Sequence, residues 1–331
     1  MLSKRVPVLR AVVQPLYRYW LKRKYELKWS YFANPRSARR LHRQRAVLNE
    51  TQQRILSSLN SRGIAICHFK DLIDDQSRYD RVCESGKVFV DCAEEFLGKF
   101  RSGDEYHGAI SLDHNLHKVR RYMSDGERVG SDDYLIKMFP EAPCLCVENE
   151  WLRLAFDNRV LDVVNHYLRV WGKLTYLDLW YAMPSGERLS RIGSQRWHRD
   201  PEDKRMLKLY LYLADASAAS GPLQYIPDSC RGGRYEHTWP RRRPDGIPYP
   251  PQETIEAEIG PSNWITCTGP KGTLVLCDTS GLHRGGINTN GRRVAATWTF
   301  VTPASLYPRR FEVDYKGRNV ELSEPAKFAL G

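Results

Sequence analysis

The chain lacks the signatures of several common chemistries. Its eight cysteines (Cys67, Cys83, Cys92, Cys144, Cys146, Cys230, Cys267 and Cys277) contain no CxxC pair and no regular framework. Neither a zinc ribbon nor a disulfide-stapled secreted module is therefore indicated, and reduced, mostly buried thiols in a cytoplasmic protein are expected. There is no P-loop and no Ser/His/Asp order, which removes the phosphate-loop enzymes and the triad hydrolases. No stretch reads as a membrane span: Val6 to Trp20 is interrupted by Arg10, Pro15 and Arg18, far short of the roughly 20 apolar residues required. The same segment lacks the small-residue cleavage site of a secretory signal. No internal repeat and no linker rich enough to divide the chain is present.

Acidic residues are scarce in one place only. Residues 1–45 hold 13 Lys/Arg against a single acid, Glu26, whereas the remaining 286 positions hold 38 basic and 38 acidic residues. The net charge of +12 therefore belongs to an N-terminal arm and the body is neutral. Tyr17, Trp20, Tyr25, Trp29, Tyr31 and Phe32 alternate with the cations of this arm. Three readings fit: a surface helix packed by its aromatic side, a peripheral contact with an anionic membrane, and a basic arm on nucleic acid. The neutral body counts against the last, because a nucleic-acid enzyme would spread basic charge around its site.

Along the body, Ala46–Leu59 reads as a helix ended by Ser61-Arg62-Gly63, Ile64–Phe69 as a short buried strand, and Tyr79–Phe100 as a second helix. The charged stretch 101–147 reads as irregular, and its His114 and His117 lack a third ligand. A helix capped by Asp157 or Asn158 should close near Gly172. From Leu174 onward, short β-branched and aromatic runs separated by Gly/Pro/Asp turns indicate an all-β barrel or sandwich wrapped by helices. The organisation expected is a 1–45 arm, a 46–173 helical support with one strand, a 174–302 β core with a 231–263 insertion, and a 303–331 extension.

Two segments carry chemistry. Gln195-Arg196-Trp197-His198-Arg199-Asp200 precedes a strand, and Gly281-Leu282-His283-Arg284-Gly285-Gly286 follows one. On extended chain the two-residue period points His198 and Asp200 to one face. With His283 they would form a 2-His-1-carboxylate triad, which favours Fe(II) and leaves coordination positions open.

The order His198-x-Asp200, Gly221-Pro222-Leu223, Pro227-Asp228-Ser229, His283 and an arginine nine or ten residues on resembles the phytanoyl-CoA dioxygenase-like family of Fe(II)/2-oxoglutarate oxygenases, over roughly residues 50–302. The resemblance implies a double-stranded β-helix (jelly roll, cupin-like) buttressed by helices. It also implies Fe(II) on His198, Asp200 and His283, 2-oxoglutarate as cosubstrate with O2, and release of succinate and CO2. Arg293 would grip the distal carboxylate, since a planar guanidinium suits it. Arg292 competes for the role from the opposite strand face, but Ala295, Thr297 and Thr299 leave room on the face of Arg293. Gln195, Trp197 and Tyr181 are candidate pocket walls. Cys230 and Gly285 stand where relatives often show a histidine and a hydroxyl residue. Retention of Asp200 makes hydroxylation the default outcome, on a small-molecule or a lipid- or glycan-linked substrate. Arg231, Arg234 and Arg241 of the insertion could bind an anionic one. A tethered binding module with a vestigial metal site and a nucleic-acid demethylase are the competing readings.

Overall fold

The computed structural model describes residues 6–106, 113–123, 130, 132–185, 190–240, 248–316 and 320–331. Strands β1 (Ile64–His68), β2 (Leu135–Lys137), β3 (Cys144–Cys146), β4 (Lys173–Ala182), β5 (Met206–Tyr212) and β6 (Leu223–Tyr225) come first. They are followed by β7 (Ile265–Thr266), β8 (Thr273–Cys277), β9 (His283–Gly285), β10 (Arg293–Val301) and β11 (Glu312–Asp314). The helices that concern the site are α1 (Val6–Leu27), α2 (Ala33–Arg43), α3 (Glu50–Arg62), α4 (Phe69–Leu72), α5 (Gln76–Ser102), α6 (Asp113–Met123), α7 (Glu150–Ala155) and α8 (Asn158–Leu168).

Local chemistry sets the helix ends. Asn49 closes a capping box with Gln52, so α3 starts at Glu50, a turn later than the apolar pattern suggests. Gly63, at φ +76°, turns the chain out of α3, and a Cβ there would lie 2.4 Å from the Tyr225 hydroxyl. Asp157 caps α8 by accepting from the Arg159 amide at 2.9 Å, and Arg169 in the left-handed region ends it before Gly172 is reached. The segment expected to be irregular contains α6 and two three-residue strands, too short to leave a period in the sequence.

The major sheet is six-stranded, in the order β1-β8-β5-β10-β4-β2, and its ladders are antiparallel throughout. Alternation divides each strand between two environments. Leu174, Leu177, Leu179 and Tyr181 of β4, Leu207, Leu209 and Leu211 of β5, and Val294, Ala296, Trp298 and Phe300 of β10 pack on the layer that includes α3, α5, α7 and α8. The opposite face carries Tyr176, Asp178 and Trp180, then Lys208, Tyr210 and Tyr212, then Arg293, Ala295, Thr297 and Thr299, and it looks toward the small sheet β7-β6-β9. Two facing sheets with the site between them are the jelly-roll arrangement.

The arm is partly built into this body. Beyond α1 a single π-turn (Lys28–Phe32) leads into α2. The Tyr25 hydroxyl donates to Asp203 at 2.6 Å, Ser37 to the Trp171 carbonyl at 2.9 Å, and Asn34 accepts from the Ala304 amide at 3.1 Å. Leu16, Tyr17, Tyr19, Trp20, Tyr31 and Phe32 remain exposed. The aromatic side thus docks only around Tyr25 and Trp29. No helix among the described residues is long and apolar enough to cross a membrane.

Candidate metal centre

His198 and His283 meet as an antiparallel bridge, each amide donating to the other's carbonyl at 3.0 Å. Their rings lie 4.2 Å apart between centroids. The Asp200 amide donates to the Thr279 carbonyl at 2.8 Å, which ties the first metal segment to the turn before β9. Ligand atoms of His198, Asp200 and His283 all lie within 4.8 Å of one another. The His198 and His283 Nε2 atoms stand 3.7 and 3.5 Å from the Asp200 carboxylate oxygens. Each Nδ1 faces a backbone carbonyl, Arg196 at 2.8 Å and Gly281 at 3.0 Å. Those carbonyls accept only from a protonated Nδ1, so both Nε2 lone pairs are free and aimed at the carboxylate.

Electrostatics prepare the same state. Burial, reinforced by the neighbouring His198, pushes the His283 imidazole down to about 3. Burial also lowers His198, against the pull of Asp200. For Asp200 burial works toward protonation, but Lys208 and then the two imidazoles override it and hold the carboxyl well below the usual range. Two neutral imidazoles beside an ionised carboxylate are the protonation states that a divalent cation needs.

Lys208 was not apparent as part of this site, because it sits inside the apolar run Met206–Tyr212. Alternation turns it toward the metal face, where its Nζ lies 2.5 Å from Asp200 Oδ2. A lone lysine in an otherwise apolar strand was the available signal. Tyr134, just before β2, was also missed; its hydroxyl lies 2.9 Å from Ser194 Oγ.

The two arginines separate as the strand faces require. Arg292 points outward into an ion pair with Glu94 of α5 at 2.6 Å. Arg293 is buried on the metal face, and among the described residues its Nη1, with the Thr297 and Thr299 hydroxyls, has no hydrogen-bond partner. Buried polar groups are rarely left so without a ligand or water to meet them. A Cβ on Gly285 would stand 2.9 Å from Arg293 Nη1 and 3.1 Å from the Tyr134 hydroxyl, so glycine at this position leaves the guanidinium its space. The set fits a bound dicarboxylate: a buried guanidinium with an unpartnered nitrogen on the same strand face as Lys208, which meets Asp200 of the triad.

Other expected wall residues lie elsewhere. Trp197, on the strand face opposite His198, packs with Ile226, Ile255 and Leu282, against Trp264 and under Arg284. Tyr181 faces the helical layer, with its hydroxyl 3.4 Å from Glu94. Gln195 is spent inside its own turn, accepting from the Ile192 amide. Arg231 stacks over Trp29 of the arm and Arg234 over Tyr235, neither lining the chamber; Arg241 lies outside the described residues. The insertion contributes apolar groups instead. Trp239, Pro248 and Tyr249 join Trp180 and Tyr176 around a cavity of about 430 Å³ that opens on His198 and Asp200.

A family model described as phytanoyl-CoA dioxygenase (PhyH) matches residues 147–295, a span that holds His198, Asp200, His283 and Arg293. This span is a phytanoyl-CoA dioxygenase-type core. No curated protein matches the chain. Among solved structures, the apo form of EctD from S. alaskensis is 17% identical, with 84% of this chain and 88% of that one covered and a TM-score of 0.50, and it shares the fold. AviO1 from Streptomyces viridochromogenes Tue57 (15% identical, 78% and 98% covered, TM-score 0.45) is also similar. So is the epimerase SnoN in complex with Fe3+, alpha ketoglutarate and nogalamycin RO (12% identical, 82% and 93% covered, TM-score 0.44). The phytanoyl-CoA dioxygenase-type core and the triad together make this protein an Fe(II)- and 2-oxoglutarate-dependent oxygenase.

Proposed function

We propose that the protein is a hydroxylase in which His198, Asp200 and His283 hold Fe(II) and Arg293 grips the distal carboxylate of 2-oxoglutarate. The net reaction inserts one oxygen atom of O2 into an unactivated C–H bond of a small-molecule, lipid- or glycan-linked substrate. The second oxygen atom enters succinate as 2-oxoglutarate loses CO2. The observation that carries this reading is the pairing of both Nδ1 atoms with backbone carbonyls, which leaves two Nε2 lone pairs facing one ionised carboxylate. Iron, when bound, supplies O2 activation. The chain's own residues do the rest: Arg293 orients the cosubstrate, Asp200 completes the ligand set, and Trp239 and Tyr249 narrow the mouth and exclude water. Unpartnered polar atoms at Arg293, Thr297 and Thr299 favour a working site over a vestigial one. The neutral body favours a small substrate over nucleic acid.

Anaerobic addition of Fe(II) and 2-oxoglutarate should produce the weak visible charge-transfer band of the chelate, and His198→Ala should abolish both the band and succinate release without substrate. A wild-type protein with no band, or a variant that keeps it, would refute the ligand assignment.

We further assign the arm to an anionic membrane surface, with the protein otherwise cytoplasmic. The exposed rings of Tyr17, Trp20 and Tyr31 among lysines and arginines support this. Because Tyr25, Asn34 and Ser37 are built into the body, the clean test is Tyr17→Ala with Trp20→Ala rather than deletion of the arm. Binding to phosphatidylserine vesicles should fall; unchanged binding would refute the role.

A further inference from the structure

Beside the metal chamber lies a second, larger cavity of about 880 Å³, and the two share Lys137, Tyr176 and Arg310 in their walls. These three residues form a neck. The neck is cationic, although the body as a whole is neutral. Asp132 is bridged by Lys137 at 2.5 Å and Lys118 at 3.2 Å, and around the outer cavity the cations Lys118, Lys137, Arg309 and Arg310 face two carboxyls, Glu141 and Asp178. Arg310 approaches Glu202 at 3.8 Å and lies over the Tyr176 ring at 5.7 Å, and about half of its side chain is exposed. Arg309 and His117 stand further along the outer cavity. Of the two carboxyls lining that cavity, Glu141 and Asp178, the second is already committed: it accepts from the Phe139 and Leu179 amides and the Tyr176 hydroxyl, and burial pushes it up to about 6.

Tyr176 makes the neck rigid. Its hydroxyl donates to Asp178 at 2.9 Å and accepts from Trp180 Nε1 at 3.1 Å, so the ring is a fixed wall with no donor left for an anionic ligand. The cations alone can therefore make polar recognition there. Lys208, Thr299 and Tyr176 lie in register across β5, β10 and β4, which puts the neck roughly 10 Å from Lys208 at ~4.8 Å per strand.

We propose that the substrate carries a phosphate group that binds between Lys137 and Arg310, with its reacting carbon in the metal chamber and any further part of the molecule in the outer cavity. The proposal rests on the oxygenase reading for where the reacting carbon sits. It moves anion recognition away from Arg231 and Arg234 of the insertion. A phosphate fits because its several acceptor oxygens can engage an ammonium and a guanidinium together.

The test is calorimetric titration of the full chain with phenyl phosphate, and with phenol as the uncharged control. Binding of phenyl phosphate but not phenol is expected, weakened about tenfold or more by Arg310→Gln and by Lys137→Gln, because each removes one charge-assisted contact. Lys137→Arg should restore it, which separates lost charge from a disturbed β2. Arg231→Gln with Arg234→Gln should leave it unchanged. Equal binding of phenol, equal binding by the Arg310→Gln variant, or loss confined to the Arg231/Arg234 variant would overturn the proposal. Calorimetry needs no turnover. Phosphate binding without succinate release would count against the oxygenase reading alone, and succinate release without phosphate binding against this one alone.

Discussion

The sharpest consequence of the triad's electrostatics is how metal affinity should depend on pH. Protons and a divalent cation compete for the same imidazole nitrogens. Two ordinary histidines, each titrating near 6.5, would be about 90% protonated at about pH 5.5, and a two-imidazole site would lose roughly 100-fold in affinity between about pH 7.5 and that point. Here His283 titrates at about 3 and stays neutral across the whole window. Asp200 is held ionised by Lys208. Only His198 can contribute, and burial lowers it too, so the loss should stay below about tenfold. Ni(II) or Co(II) titration by calorimetry across this range reads the slope directly. The sign for stability follows from the same shift. The unfolded chain takes up a proton near 6.5 that folded His283 refuses until about 3, so the metal-free protein loses stability as pH falls through that interval, by up to ~1.4 kcal/mol per pH unit from this group. A 100-fold loss of metal affinity would mean that the two imidazoles are solvated and ordinary, and the site as described would be wrong.

Three further outcomes test neighbouring parts of the site. Arg293→Gln should raise the KM for 2-oxoglutarate by about 100-fold or more, the scale set by losing a buried bidentate charge pair, while Arg292→Ala, which breaks only an outward pair with Glu94, should stay within about threefold. The opposite ranking would place the cosubstrate on the other strand face. Lys208→Met strands the Asp200 carboxylate in the metal-free protein and should cost ~3–5 kcal/mol there, whereas Ni(II) supplies the missing positive charge. The rise in Tm on adding Ni(II) should therefore be larger for the variant than for wild type, and an equal rise would show that the pair is not a charge partner of the metal. Gly285→Ser places a Cβ within 2.9 Å of Arg293 Nη1, the mobile end of a side chain, so folding should change little while the KM for 2-oxoglutarate rises. A normal KM would mean that Arg293 has slack to give.

What could be read from the sequence, and what could not, divides along local versus convergent geometry. A period of two was enough to put His198 and Asp200 on one face and to send Arg292 and Arg293 to opposite ones, because both are properties of one strand. The same rule, carried one residue further, turns Trp197 and Arg199 away from the metal. Arg199 shows what that opposite face is for. Its Nε donates to the Trp239 carbonyl at 3.2 Å and its Nη2 to Tyr235 and Thr238 at 2.9 Å each. Its Nη1 serves the carbonyls of Ser229 and Ser280. One side chain between His198 and Asp200 thus fastens the insertion and the distal turn to this segment, and an insertion held by a guanidinium can position Trp239 over the chamber without a sheet of its own. Lys208, Tyr134, Lys137 and Arg310 were not legible, since each arrives from a different segment and only strand order brings β2 beside β4 and the chain after β10 beside Tyr176. Charge at the neck is in the same way invisible in a body whose 38 bases balance its 38 acids. Neutrality there is an average over a surface, and the substrate meets the neck.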